Sequence, residues 1–149
     1  LGIRGGAPAR AIEEDRKMVQ AHPFDEVVGS MHCFDGLDMY EPTSYEGFTK
    51  DQAVRRYLED SVRCLERKPD FDSYGHIDYI CRYMPYPDPN LYYEDHPDLW
   101  DRVFRLLIAE DKALEINTRR LGDDSVIPPL LKLYKRFREL GGKYATPGQ

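Results

Sequence analysis

Short β-type runs alternate with longer stretches of helical periodicity through this 149-residue chain, and few folds accept that order. Residues 11–20 carry helical charge spacing, which Pro23 ends. Residues 27–32 form the first clear strand, and residues 35–47 a loop rich in Gly, Pro, Asp and Tyr. Thr49 can cap a helix over residues 50–67 that sets Val54, Tyr57, Leu58, Val62 and Leu65 on one face. Pro69 ends it, and residues 71–77 make a second strand. A proline-rich loop over residues 84–97 leads to a helix over residues 98–111, with Leu99, Val103, Leu106 and Leu107 inward. Residues 113–118 read as a third strand. A helix over residues 125–140 tolerates Pro128 and Pro129 in its first turn and stops at Gly141-Gly142. Residues 144–146 open a fourth strand.

That order predicts an α/β architecture of parallel strands with outer helices. A closed barrel of this kind needs about 200 residues or more. Leu1-Gly2-Ile3 reads as the tail of a strand, and the last strand has no helix after it. The expectation is therefore one domain over residues 1–149, an internal piece of a larger barrel cut at both ends. A net charge of −6, with basic residues interleaved among acidic ones, argues against a nucleic-acid partner. No apolar run approaches the ~18 residues of a membrane helix, so no membrane partner is expected. Three scattered cysteines without a Cys-x-x-Cys pair point to reduced thiols in a cytoplasm, packed as small apolar residues. The oligomeric state is not written in the sequence.

Two stretches carry the chemistry: Glu26-Val27-Val28-Gly29-Ser30-Met31-His32 and Asp72-Ser73-Tyr74-Gly75-His76-Ile77-Asp78. Each is a β-type run, small residues, then a histidine. Imidazole is a neutral nitrogen ligand near physiological pH, and small neighbours leave room for an ion at the mouth of a barrel. His32 and His76 in successive strand–helix units are therefore candidate ligands of one metal site. A satisfied structural histidine is the competing reading for either alone.

The segment Pro23-Phe24-Asp25-Glu26-Val27-Val28-Gly29-Ser30-Met31-His32-Cys33-Phe34-Asp35-Gly36 resembles the histidinol-phosphatases of the polymerase and histidinol phosphatase (PHP) superfamily. Asp72 to Asp78 resembles that family's second internal metal strand, Leu114-Glu115-Ile116-Asn117-Thr118 resembles its Leu-Glu-Ile-Asn-Thr strand, and Tyr134 to Thr146, with Leu140-Gly141-Gly142-Lys143-Tyr144, resembles the approach to its last metal strand. The resemblance implies part of a distorted (β/α)7 TIM-like barrel. It implies two or three divalent metal ions (Zn, Mn or Fe), and hydrolysis of L-histidinol phosphate in histidine biosynthesis. On its pattern His32 and His76 ligate one ion, and the partner is a small-molecule phosphate. The family's terminal His-x-His and Asp-x-His motifs do not occur in these residues. Arg4 stands where the resemblance puts a bridging glutamate. Two alternatives stay open: a related phosphoesterase with another small phosphate substrate, and a degenerate, non-catalytic barrel.

Arg82 follows His76 where the chain leaves its strand, and Arg119 and Arg120 leave the next strand at the same rim. Arg82 and Arg120 are candidate substrate-phosphate ligands, because a guanidinium can grip phosphate with two parallel hydrogen bonds. Glu115 and Asn117 share one face of their strand, where orienting a histidine, contacting the substrate's amine or making a structural hydrogen bond would suit them. Asp35 and Asp78 are read as turn and structural residues. His22 and His96 both precede proline and are expected at the surface, and a place on an active-site lid is the alternative for His96.

Overall fold

The structure, a computed structural model, describes the backbone of residues 2–3 and 9–145 and the side chains of residues 12–145. The chain runs β1 (Gly2–Ile3), α1 (Ala9–Ala21), β2 (Val28–Met31), β3 (Cys33–Phe34), β4 (Leu37–Asp38) and α2 (Lys50–Glu66). It continues through β5 (Ser73–Tyr74), α3 (Pro97–Ala109), β6 (Ala113–Glu115), α4 (Ile127–Glu139) and β7 (Tyr144–Ala145). Among the described residues one sheet has the order β1-β2-β5-β6-β7, every neighbour parallel. The spatial order follows the chain order, with a helix in each crossover. This is the arrangement of a barrel wall and not of a doubly wound sheet, whose order reverses at a switch point. The chain is thus α/β, an arc of the expected TIM-like barrel. Arg4 lies outside the described residues.

Local chemistry explains the helices. Thr49 accepts the Gln52 backbone N–H, and the Gln52 side chain accepts the Thr49 N–H, a reciprocal capping box that starts α2. Proline opens α3, where a missing N–H costs nothing. Gly141, at φ +100°, ends the stretch that begins with α4. The inward faces of α2, α3 and α4 bury Tyr57, Leu58, Trp100, Phe104, Leu107, Leu133 and Phe137 against Tyr74 and Leu114 of the sheet. Phe104 sits between Trp100 and Phe137, with ring centroids 5.6 and 5.3 Å apart. Tight-packed aromatics of this size bury about 150–250 Å² each and dominate the core's energetics. The charged face of α2 is solvated as expected, except for Asp60. That carboxylate is buried, accepts the Asp35 N–H and pairs with Arg63.

The strands are shorter than the β-type runs. The second, expected over residues 71–77, is only Ser73–Tyr74, because His76 turns to φ +32° and its carbonyl accepts the Tyr79 N–H. The third, expected over residues 113–118, closes at Glu115, and Asn117 Oδ1 then accepts the Arg119 N–H in a turn. Across the start of the expected loop 35–47 lies a tight hairpin, β3–β4. Asp35 and Gly36 both take positive φ there, +50° and +74°, which suits a two-residue hairpin turn.

Candidate metal centre

Parallel pairing brings the carboxyl ends of β2 and β5 side by side. Val28 is in register with Ser73 and Gly29 with Tyr74, and the Gly75 N–H donates to the Gly29 carbonyl at 2.7 Å. His32 is the first residue past β2, and His76 the second past β5. Their side chains meet: the two Nε2 atoms are 3.0 Å apart and the rings are stacked, 15° from parallel. Ser30 Oγ lies 3.1 Å from His32 Nε2. The expectation that these two histidines converge at one mouth therefore agrees with the geometry.

Gly75 is what lets the strands approach so closely. A Cβ built there would sit 2.7 Å from Val28 Cγ1 and 3.3 Å from Glu115 Oε2. Glu115, buried at the end of β6, uses the space. Its Oε2 accepts the His76 backbone N–H at 2.7 Å and stands 3.5 Å from His76 Nδ1.

Burial pushes both imidazoles below their ordinary value. For His32 the next cause is the neighbouring His76, and for His76 the Glu115 carboxylate opposes the effect of burial. A neutral ring keeps one nitrogen lone pair, which can bind a cation from Nε2 when the tautomer places the proton at Nδ1. Two nitrogens each 2.0–2.1 Å from a tetrahedral ion lie about 3.3 Å apart. The observed 3.0 Å is within a small adjustment of that bite, so the donor pair fits a divalent ion. Among the described residues no group of three or more His, Cys, Asp or Glu side chains gathers around one point. The pair could supply two ligands of a set that would need more.

Arg82 closes the short 3₁₀ turn Tyr79–Arg82 beyond His76 and stacks on the Tyr79 ring, 5.6 Å from its centroid. Its buried Nε has no hydrogen-bond partner among the described residues, and its charge lowers the affinity of both histidines for protons. Arg120 is differently engaged. It donates to Asp78 Oδ2 at 3.3 Å and to Asn90 Oδ1 at 3.0 Å, beneath the loop that follows His76. Arg119 is exposed, and its N–H closes the Asn117 turn.

Sequence reasoning missed Tyr79, whose ring lies 4.2 Å from His32 and 5.6 Å from His76. The signal was present: Tyr79 is one 3₁₀ turn past His76, the spacing that folds a side chain back over its predecessor. The surface reading of His96 is corrected. Its side chain is 8% exposed, with Nε2 2.9 Å from Asp51 Oδ1. Pro97 begins α3, so His96 precedes a helix and packs back on the start of α2. His22 is exposed as expected.

A model of the PHP domain family matches residues 2–119. The chain is 37% identical over 148 residues to a probable histidinol-phosphatase of Clostridium acetobutylicum, covering 99% of this chain and 58% of that one. It is 32% identical over 149 residues to a histidinol-phosphatase of Lactococcus lactis, covering 99% and 55%. A crystal structure of the histidinol phosphate phosphatase of Lactococcus lactis, complexed with zinc, L-histidinol and phosphate, superposes with a TM-score of 0.83 at 29% identity. It covers 93% of this chain and 55% of that one. The chain spans about half the length of the curated relatives it matches.

Proposed function

This chain belongs to the PHP domain family, and we propose that its protein is a metal-dependent phosphomonoesterase that hydrolyses L-histidinol phosphate to L-histidinol and phosphate. The observation that carries the reading is the pair of Nε2 atoms 3.0 Å apart at the carboxyl ends of neighbouring strands. Relatives with histidinol-phosphatase names and the zinc-, histidinol- and phosphate-bound neighbour support the substrate. On this reading the reaction belongs to histidine biosynthesis in the cytoplasm.

His32 and His76 would hold one divalent ion (Zn, Mn or Fe) as two of its ligands. Bound there, it would supply Lewis acidity toward a phosphoryl oxygen. The residues themselves do the rest. Burial keeps both imidazoles neutral, so no proton competes for the lone pairs near pH 7. Ser30 Oγ lies within hydrogen-bond distance of His32 Nε2 and steadies the ring. Tyr79 packs its ring against that of His32, with centroids 4.2 Å apart. Arg82, stacked on Tyr79 with a buried Nε that has no hydrogen-bond partner among the described residues, would grip the substrate's phosphate. Arg120 is the second candidate for that contact, and Asp78 and Asn90 already take two of its donors.

The test is turnover by the whole protein, loaded with each metal in turn, on histidinol phosphate beside a panel of other phosphate esters. A kcat/KM for histidinol phosphate at least about tenfold above the panel supports the proposal. Equal turnover across the panel would point to a general phosphoesterase. No turnover, with no metal bound, would point to a barrel that has lost its chemistry.

A further inference from the structure

The backbone at His76 needs an explanation. It is a non-glycine residue at φ +32°, a conformation that L side chains rarely adopt. Such a geometry persists only when its surroundings hold it. The hold is visible: Glu115 reaches across from β6 and accepts the His76 N–H at 2.7 Å. A carboxylate that accepts a backbone N–H makes a strong, charge-assisted bond. Without that acceptor, the amide would be left without its partner in a partly buried site, which is costly.

The same Oε2 faces the far side of the imidazole, 3.5 Å from Nδ1. That is longer than a hydrogen bond, and the attraction is electrostatic. A carboxylate beside Nδ1 favours the tautomer with its proton there. Nε2 is then left as a lone pair, pointing at His32 Nε2. Gly75 completes the arrangement, since a Cβ would press on both Val28 and the carboxylate.

We infer that Glu115 is a positioning residue: one carboxylate oxygen fixes both the left-handed backbone of His76 and the tautomer that presents its Nε2 to the metal pair. The inference rests on reading His32 and His76 as ligands, and one of its two readouts does not. Metal-site histidines commonly lean on such a carboxylate, and its loss commonly costs about 10- to 100-fold in metal affinity.

The experiment uses the whole protein and the variants Glu115→Gln and Glu115→Ala. Glu115→Gln keeps an oxygen acceptor for the backbone N–H and removes the charge beside Nδ1. The first readout is the nitrogen NMR signature of the His76 ring in metal-free protein. It should report protonation at Nδ1 in the parent and a shift toward Nε2 in Glu115→Gln. The second is zinc titration, where Glu115→Gln should bind about tenfold more weakly while melting within a few degrees of the parent. Glu115→Ala should lose more affinity and also melt lower, because the His76 N–H loses its acceptor. A Glu115→Gln protein with an unchanged tautomer and unchanged zinc affinity would overturn the inference, leaving Glu115 a structural acceptor only. A parent that binds no zinc, yet whose His76 tautomer responds to Glu115→Gln, would refute the ligand reading and leave the positioning role standing.

Discussion

Gly75→Ala is a one-methyl change that should disturb both the fold and the paired histidines. The added Cβ would sit 2.7 Å from Val28 Cγ1, where carbon atoms rest at about 3.5–4.0 Å, so close to 1 Å must be found. The backbone offers little of it. The Gly75 N–H is bonded to the Gly29 carbonyl at 2.7 Å, and the Asp72 N–H to the Val27 carbonyl at the same distance, which pins β2 and β5 on both sides of the clash. Val28 can turn off its rotamer at about 0.5–1.5 kcal/mol, or the strands can part at the larger cost of overpacking, about 1–3 kcal/mol. A total near 2 kcal/mol lowers the melting temperature of a domain this size by about 4–8 °C. The Cβ also meets Glu115 Oε2 at 3.3 Å, so zinc affinity should fall along with stability. Gly122→Ala is the matched control, since a Cβ there meets nothing within 4 Å, and its effect should stay within about 0.5 kcal/mol. Calorimetry of the two variants and the parent, followed by zinc titration, decides the matter. A Gly75→Ala protein that melts with the Gly122→Ala control and binds zinc like the parent would refute the close-approach argument.

Thr49→Ala removes one half of the capping box of α2 and should cost about 1 kcal/mol in urea unfolding, with the m-value unchanged. Arg82→Ala in the whole enzyme should lower kcat/KM on histidinol phosphate by about 10- to 100-fold, roughly 1.5–3 kcal/mol, and Arg82→Lys should recover only part; unchanged kinetics would return Arg82 to the solvated loop. For the metal-free protein, burial lowers the folded-state values of His32 and His76 below the ordinary 6.5, so the unfolded chain takes up protons first as pH falls. Their contribution to stability is full above pH 6.5 and is lost as pH falls from there through the folded-state values. The melting temperature should drop across that window in the parent and drop less in the His32→Ala, His76→Ala double variant.

What the sequence disclosed and what it hid divide along the range of the interactions. The capping box of Thr49 and Gln52, the hairpin turn at Asp35-Gly36 and the stop at Gly141 are contacts within a few residues, and residue type alone announces them. The meeting of His32 and His76 is a long-range event, yet it was legible because parallel pairing is a rule: residues just past the carboxyl ends of adjacent strands must share a mouth. Burial of His96 had no such rule behind it. A histidine before a proline looks like a loop residue, and only the packing of the start of α3 on α2 takes it out of water. The same holds for Arg120, which by position is a rim arginine and by contact a tether between Asp78 and Asn90. The overlong strand predicted through residue 77 is the instructive miss. Hydrophobic pattern carried the β-type reading past Gly75, but the backbone leaves the sheet there and His76 turns left-handed. Pattern reports what can be buried in a sheet, and it does not see where a side chain is turned out of one. The residue at which the β-type reading failed is the one whose left-handed backbone swings its imidazole to within 3.0 Å of His32.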